Sequence, residues 1–411
     1  MSCASGYRIT FKKPDMTISS CLPPMLTMMH DLVGLPSVSS SHPQFDMSNL
    51  EVVHTLANWA ESLGFQCEIM PVSPGKYNLL ATCGQGQGGL LLSGHTDTVP
   101  YDNQGWLSDP FKLIQRADKL VGLGIADMKC FFAMALHAAA KFKPEQFKSP
   151  LMLLATCDEE SSMRGAQSLR QDQFLGIAQA VIGEPTGLRP VRMHKGILMC
   201  RLRVQGQSGH SSNPELGHNA LEAMHYMMQS LLDYRAHMQQ TYQHPLFTVP
   251  YPTLNLGCLH GGDNPNRICA DCELQFDLRP LPGMDTQALL QTLQSQISLV
   301  AEQHQVQATL EPLFSGTPAF SCREDAAIIQ ACIRLTGSEA CAVSYATEAP
   351  YLSALGLDTV ILGAGDIDCA HQPNEYLDLE RIAPMTQMLE QLIRQFCLLS
   401  SEELSPSGKS A

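Results

Sequence analysis

Short runs of apolar residues bounded by turn residues recur through the first half of the chain: Gly89-Leu90-Leu91-Leu92-Ser93, Leu151-Met152-Leu153-Leu154-Ala155, and 178–182. Runs with no polar alternation read as strands buried on both faces. Helix-like stretches precede the first run, at 50–63, and separate the first from the second, at 128–141. This alternation predicts an α/β layer with a mostly parallel central sheet. A fourth apolar run, 358–363, comes near the C-terminus and leads into a helical stretch at 382–399, so both ends of the chain are expected to share one sheet. The middle has a different rhythm: strand 197–204, helix 220–238, strands 253–259 and 272–279, helix 286–303, strand 307–313. That order is βαββαβ, a compact unit of its own. The expected organisation is a discontinuous main domain, 1–191 and 314–411, with a second domain, 192–313, inserted into it.

A length of 411 residues suits two to three domains, or one large core with an insertion. Hydrophobic residues make up 44% and charged residues only 16%, enough for a large core and incompatible with global disorder. The net charge of −14 opposes unspecific binding to phosphate backbones and anionic lipid, so neither nucleic acid nor a membrane is expected as a partner. The longest apolar run, 131–140 interrupted by His137, falls short of the roughly 20 residues a membrane span needs. Fifteen scattered cysteines read as small core hydrophobes kept reduced. The first residues lack the apolar stretch of a secretory signal, which sets the expectation of a cytoplasmic protein. An N-terminal extension to about residue 22, with translation from Met16 as one reading, and a disordered tail at 405–411 complete the expectations for the ends.

The candidate chemistry lies where the apolar runs stop. The first run leads into Gly94-His95-Thr96-Asp97, the second into Asp158-Glu159-Glu160, the third into Gly183-Glu184, and His371 follows the fourth. In open α/β sheets the C-terminal edge of the strands is where ligand sites form. Asp127 precedes a helix-like run, where a carboxylate is as well suited to capping as to chemistry. Together His95, Asp127, Glu160, Glu184 and His371 make a nitrogen and oxygen ligand set without thiolate, suited to zinc, cobalt or manganese. One bridging carboxylate would let five ligands serve two ions about 3.5–4 Å apart. Asp97, two residues from His95 on an extended chain, shares its face, either as a carboxylate orienting the imidazole or as a ligand itself. Glu159 and Glu160 point apart in extended backbone, so one can bind metal while the other handles the proton of the attacking water; the residues alone leave open which does which.

Several segments resemble the dizinc deacylase family of aminoacylases, desuccinylases and glutamate carboxypeptidases. They are Ser93-Gly94-His95-Thr96-Asp97-Thr98-Val99-Pro100, Gly124-Ile125-Ala126-Asp127-Met128-Lys129, Asp158-Glu159-Glu160 and Ile182-Gly183-Glu184-Pro185-Thr186. A narrower likeness rests on Gln207-Ser208-Gly209-His210-Ser211-Ser212, His260-Gly261-Gly262-Asp263, Asn266-Arg267-Ile268-Cys269, Thr347-Glu348-Ala349-Pro350 and Ala370-His371-Gln372-Pro373, among others. The resemblance implies a zinc-peptidase-like catalytic domain, with 192–313 as a lid that also carries a homodimer contact. It implies two divalent metal ions, zinc or cobalt, one held by His95, Asp127 and Glu184 and the other by Asp127, Glu160 and His371. Glu159 would be the general base and Asp97 the orienting acid. His210 would steady the oxyanion, from the same or a partner subunit, and Asn266 and Arg267 would hold the α-carboxylate of a small acylated amino acid. The narrower motifs imply deacetylation of N2-acetyl-L-ornithine in arginine biosynthesis, with Glu348 as a candidate partner of the substrate's ammonium. Desuccinylase, aminoacylase and dipeptidase activities are rivals within the family; a metal-binding protein with a dead site is the rival outside it. Two residues depart from the family pattern, Ala346 where a cysteine is usual and Cys130 where a glycine is.

Overall fold

The computed structural model describes residues 22–101 and 104–398; the extension before residue 22, Met16 and the tail at 405–411 lie outside them. A nine-stranded mixed sheet forms the larger layer. Its heart is four neighbouring parallel strands in the order Leu151–Thr156, Gly89–His95, Ile177–Ile182, Asp358–Ile361. The first three are the apolar runs read from the sequence, and the C-terminal run pairs beside them, so both halves of the chain share the sheet. One margin is the antiparallel hairpin Gln66–Ser73 and Lys76–Cys83; on the other, Val191–His194 pairs antiparallel with Phe320–Ser321 and parallel with Cys341–Val343.

Every residue of Gly89–His95 and Leu151–Thr156 is buried, as a strand covered on both faces requires. The helix Cys130–Ala139 is apolar all round except at His137, and so lies fully inside, packed against the helices Met25–Val33 and Leu379–Ile393. It can approach the sheet edge because Gly183 has no side chain: a Cβ there would strike the ring of Phe131. Leu92 sits in this core at 1% exposure, and its truncation to alanine would cost about 2–5 kcal/mol.

The middle of the chain forms a separate four-stranded antiparallel sheet, Thr253–Gly261, Asp271–Arg279, Leu198–Gln205, Gln307–Pro312 in spatial order. Two helices, Ala220–Thr241 and Thr286–Gln303, cover one face over an apolar cluster that includes Leu202, Met224, Leu274 and Leu293. Each begins at an Asx cap: Asn219 accepts from the amides of Leu221 and Glu222, and Asp285 from those of Gln287 and Ala288. Thr253–Gly261 is an edge strand and is mostly exposed beyond Asn255. The described cysteines are all free thiols. Cys269 and Cys272 have CxxC spacing, a pattern the sequence reading did not single out; both are buried, and burial pushes the Cys272 thiol up to about 11. No helix among the described residues is long and apolar enough to cross a membrane.

Candidate metal centre

Because Leu151–Thr156, Gly89–His95 and Ile177–Ile182 are parallel neighbours, their C-terminal ends lie side by side. His95 is the last residue of its strand, the turn through Asp158, Glu159 and Glu160 follows the second, and Glu184 follows the third. Asp127 arrives from the turn before Cys130–Ala139, and His371 from the segment after Asp358–Ile361. All except His371 are largely withdrawn from solvent, with His95 at 1%, Glu184 at 5% and Asp127 at 6% exposure.

Asp127 lies between the two imidazoles. Its Oδ1 is 3.1 Å from His95 Nε2 and its Oδ2 is 3.2 Å from His371 Nε2. Glu160 Oε1 stands 2.9 Å from His371 Nε2, and Glu184 Oε1 stands 3.9 Å from His95 Nε2. Ligand atoms of His95, Asp127 and Glu160 lie within 4.8 Å of one another, and so do those of His95, Glu159 and Glu184. Glu159 therefore shares the pocket with the ligand candidates. Asp127 does not cap the helix: Cys130–Ala139 has no side-chain cap, and the carboxylate faces the imidazoles instead.

Asp97 orients its surroundings by a different route from a carboxylate–imidazole bond. His95 Nδ1 lies 2.9 Å from the Asp97 carbonyl, whereas the carboxylate Oδ1 is 3.8 Å away. The other carboxylate oxygen accepts from the Glu160 amide at 3.1 Å, tying the His95 loop to the glutamate turn. That turn is further pinned from below. Lys76, buried on its strand, donates to Asp46 Oδ1 at 2.7 Å and Asp158 Oδ1 at 2.9 Å, and Ser39 Oγ donates to the same Asp158 oxygen at 2.9 Å. Asp158 can then hold its left-handed conformation, φ 57°, which turns the chain so that two successive glutamates enter the site.

So many buried acids in one cluster are costly as ions. Burial, followed by the charge of Glu184, raises Glu159 well above the usual carboxylate range; burial and then Asp127 do the same to Glu184. Burial also lifts Asp97 to about 6. Hydrogen bonds to Asp127 and Glu160 raise His371 to about 11, as an imidazole facing two carboxylates should be. A set of two imidazoles and four carboxylates, crowded and without thiolate, fits divalent cations of the zinc and cobalt class. Cys157, next to the turn, is buried and lies outside the groups of clustered ligand atoms, and burial raises its thiol.

The remaining candidates form a second group in the loops that follow Leu198–Gln205 and Thr253–Gly261. His210 and Arg267 are bridged backbone to backbone, and Asn266 accepts at its carbonyl from the Ser211 amide at 3.1 Å. His210 is exposed, and its Nδ1 lies 2.7 Å from Ser212 Oγ. Arg267 is likewise exposed and donates to Asp263 Oδ2 at 2.6 Å. The structure brings these three together, and their polar partners among the described residues are local rather than in the acidic cluster.

Glu348 is 1% exposed, accepts from Thr156 Oγ1 at 2.9 Å and is pushed up to about 7 by burial. Cys130 is fully buried with its thiol raised by burial, which makes it a packing residue. Nothing in the structure explains Ala346. The sequence reading missed Lys76, Ser39 and Glu375. The first two lie far upstream in unremarkable contexts, and Glu375 follows His371 in a polar loop with no distinguishing neighbour.

Residues 91–395 match the peptidase family M20/M25/M40. An acetylornithine deacetylase of Pasteurella multocida (strain Pm70) is 45% identical over 378 residues, covering 92% of this chain and 99% of that protein. Among solved structures, a metallo-carboxypeptidase of the M20 family from Sulfolobus solfataricus superposes with a TM-score of 0.71 at 17% identity, over 91% of this chain and 99% of that one. A dinuclear metal-binding M20 peptidase from Bacillus subtilis gives 0.65 at 15% identity, over 90% and 96%. At those identities the two structures speak for the fold.

Proposed function

The chain belongs to peptidase family M20/M25/M40 and is a metal-binding hydrolase of linear amides, and from that premise we propose that it deacetylates N2-acetyl-L-ornithine to ornithine and acetate, a step of arginine biosynthesis. The observation that carries the substrate is the likeness to the Pasteurella deacetylase along almost the whole of both chains. We assign two divalent cations, zinc or cobalt, to the cluster: His95, Asp127 and Glu184 for one, Asp127, Glu160 and His371 for the other. The two-sided placement of Asp127 supports this division.

When bound, such cations polarise the acetyl carbonyl and acidify a water molecule. Glu159 takes the proton of the attacking water and delivers it to the departing amine nitrogen, a role supported by its place within 4.8 Å of ligand atoms of His95 and Glu184. Asp97 keeps the Glu160 backbone in register through its accepted amide bond. His210 donates to the developing oxyanion, and the Arg267 fork with Asn266 receives the α-carboxylate. In the same proposal 192–313 acts as a lid and joins two copies into a cytoplasmic homodimer; the exposed edge strand Thr253–Gly261 supports that role.

The test is a comparison of kcat/KM for N2-acetylornithine, N-acetylmethionine and a succinylated diamino acid. Acetylornithine is expected to lead. A succinylated compound more than tenfold better would move the chain to desuccinylation.

A further inference from the structure

Asp127 has to present one carboxylate oxygen to each imidazole, yet its backbone lies in no regular element. Between the strand Lys119–Val121 and the helix Cys130–Ala139 the chain runs through turns, with buried N–H groups that have no ladder partner. Glu375 supplies partners. Its Oε1 accepts from the amides of Ala126 at 2.8 Å and Asp127 at 3.0 Å, and its Oε2 accepts from the Gly124 amide at 3.1 Å. Its own carbonyl accepts from the Gly122 amide at 3.1 Å. The side chain is 2% exposed. Gly124 has φ +76°, the left-handed conformation that turns these amides inward to converge on one anion.

The segment that carries Glu375 also carries His371, and it closes on the same loop by pairing Tyr376–Asp378 antiparallel with Lys119–Val121. Asp127 is thus gripped twice by one stretch of chain, at its carboxylate by His371 and at its backbone by Glu375. We propose that Glu375 is a positioning residue for the cation pair: it fixes the Asp127 backbone so that the two carboxylate oxygens diverge toward the two cation positions. The inference rests on the two-cation reading given above. Both oxygens are needed as acceptors, because Oε1 takes the amides of Ala126 and Asp127 and Oε2 takes that of Gly124. Glutamine keeps one acceptor oxygen but turns an NH2 donor against a backbone N–H. Aspartate keeps the charge and withdraws it by one methylene.

The experiment titrates metal-free wild type, Glu375→Gln, Glu375→Asp and the same-strand control Asp378→Asn with Zn2+ or Co2+ against a chromophoric chelator, and records kcat at saturating metal. Loss of such an outer partner typically weakens metal affinity by about 10–100-fold; that is the expectation for Glu375→Gln, with Glu375→Asp intermediate and Asp378→Asn unchanged. With saturating metal, kcat should return to within a few-fold of wild type, which a residue acting on substrate would not allow. The melting temperature of each metal-free protein reads the fold, and a Glu375→Gln chain that does not fold leaves the decision to Glu375→Asp. Wild-type affinity in every folded variant overturns the proposal, as does a kcat that stays down a hundredfold at saturating metal. A wild-type protein that takes up no cation overturns the two-cation reading itself, and the proposal with it.

Discussion

The acidic cluster and the His210–Arg267 loops differ in how their side chains are held. His95 is 1% exposed, ends a fully buried strand and faces partners delivered by three other parts of the chain. His210 is exposed, sits between short loops and leans on Ser212, two residues away. The first arrangement is fixed by long-range packing, so its geometry is set before any ligand arrives. The second has its backbone bridged between His210 and Arg267, but its side chains are exposed and bonded only to neighbours two to four residues away. The groups proposed to hold metal thus lie at the edge of the main sheet, and those proposed to recognise substrate lie on loops of the middle segment.

Four perturbations sharpen or break this contrast. The largest concerns the cluster: dialysis against a strong chelator should abolish hydrolysis, and adding Zn2+ or Co2+ should restore it. Activity surviving at undetectable metal content would end the assignment. Next, Glu159→Ala should lower kcat by roughly 10²–10⁴-fold while bound metal per chain stays unchanged. Because Glu159 lies within 4.8 Å of ligand atoms of His95 and Glu184, a fall in metal stoichiometry would instead make it a ligand.

Arg267→Ala should act mainly on KM. A hydrogen bond to a charged group is worth about 1.5–3 kcal/mol, or roughly 10–150-fold, and initial-rate kinetics against acetylornithine would read it. A change confined to kcat would separate Arg267 from the substrate carboxylate. The smallest effect is the most particular to this structure. Asp263 holds one nitrogen of the Arg267 guanidinium at 2.6 Å on an exposed surface, so it competes with a substrate carboxylate for the fork. Such pairs contribute about 0.2–1 kcal/mol, so Asp263→Asn should lower KM by no more than roughly fivefold, and most at low salt. A raised KM would show that Asp263 holds Arg267 in place.

Much of this was legible in the sequence because the main sheet is buried on both faces, and unbroken apolar runs such as Leu90–Leu91–Leu92 announce strands without ambiguity. The ends of those runs then located His95, Glu159, Glu160 and Glu184 without any knowledge of pairing. The middle βαββαβ order was readable for a similar reason, its helices carrying apolar faces and Asx caps. What escaped is held by long-range contacts. The marginal hairpin Gln66–Ser73 and Lys76–Cys83 is half polar on its outer strand and shows no clean period. Lys76 and Glu375 look like ordinary surface charges until the fold carries them to Asp158 and to the Asp127 loop. The sequence left Asp97 as either the partner of the imidazole or a ligand; one carboxylate oxygen accepts from the Glu160 amide, and the Asp97 carbonyl, at 2.9 Å, stands closer to His95 Nδ1 than the other carboxylate oxygen at 3.8 Å.

The central claim is that Asp127 stands between two cations. Crystals grown with Co2+ and measured at the cobalt absorption edge test it directly. The account predicts two anomalous peaks about 3.5–4 Å apart, one beside His95 and Glu184 and one beside Glu160 and His371, with Asp127 touching both. A single peak, or peaks that leave Asp127 uncoordinated, would contradict it.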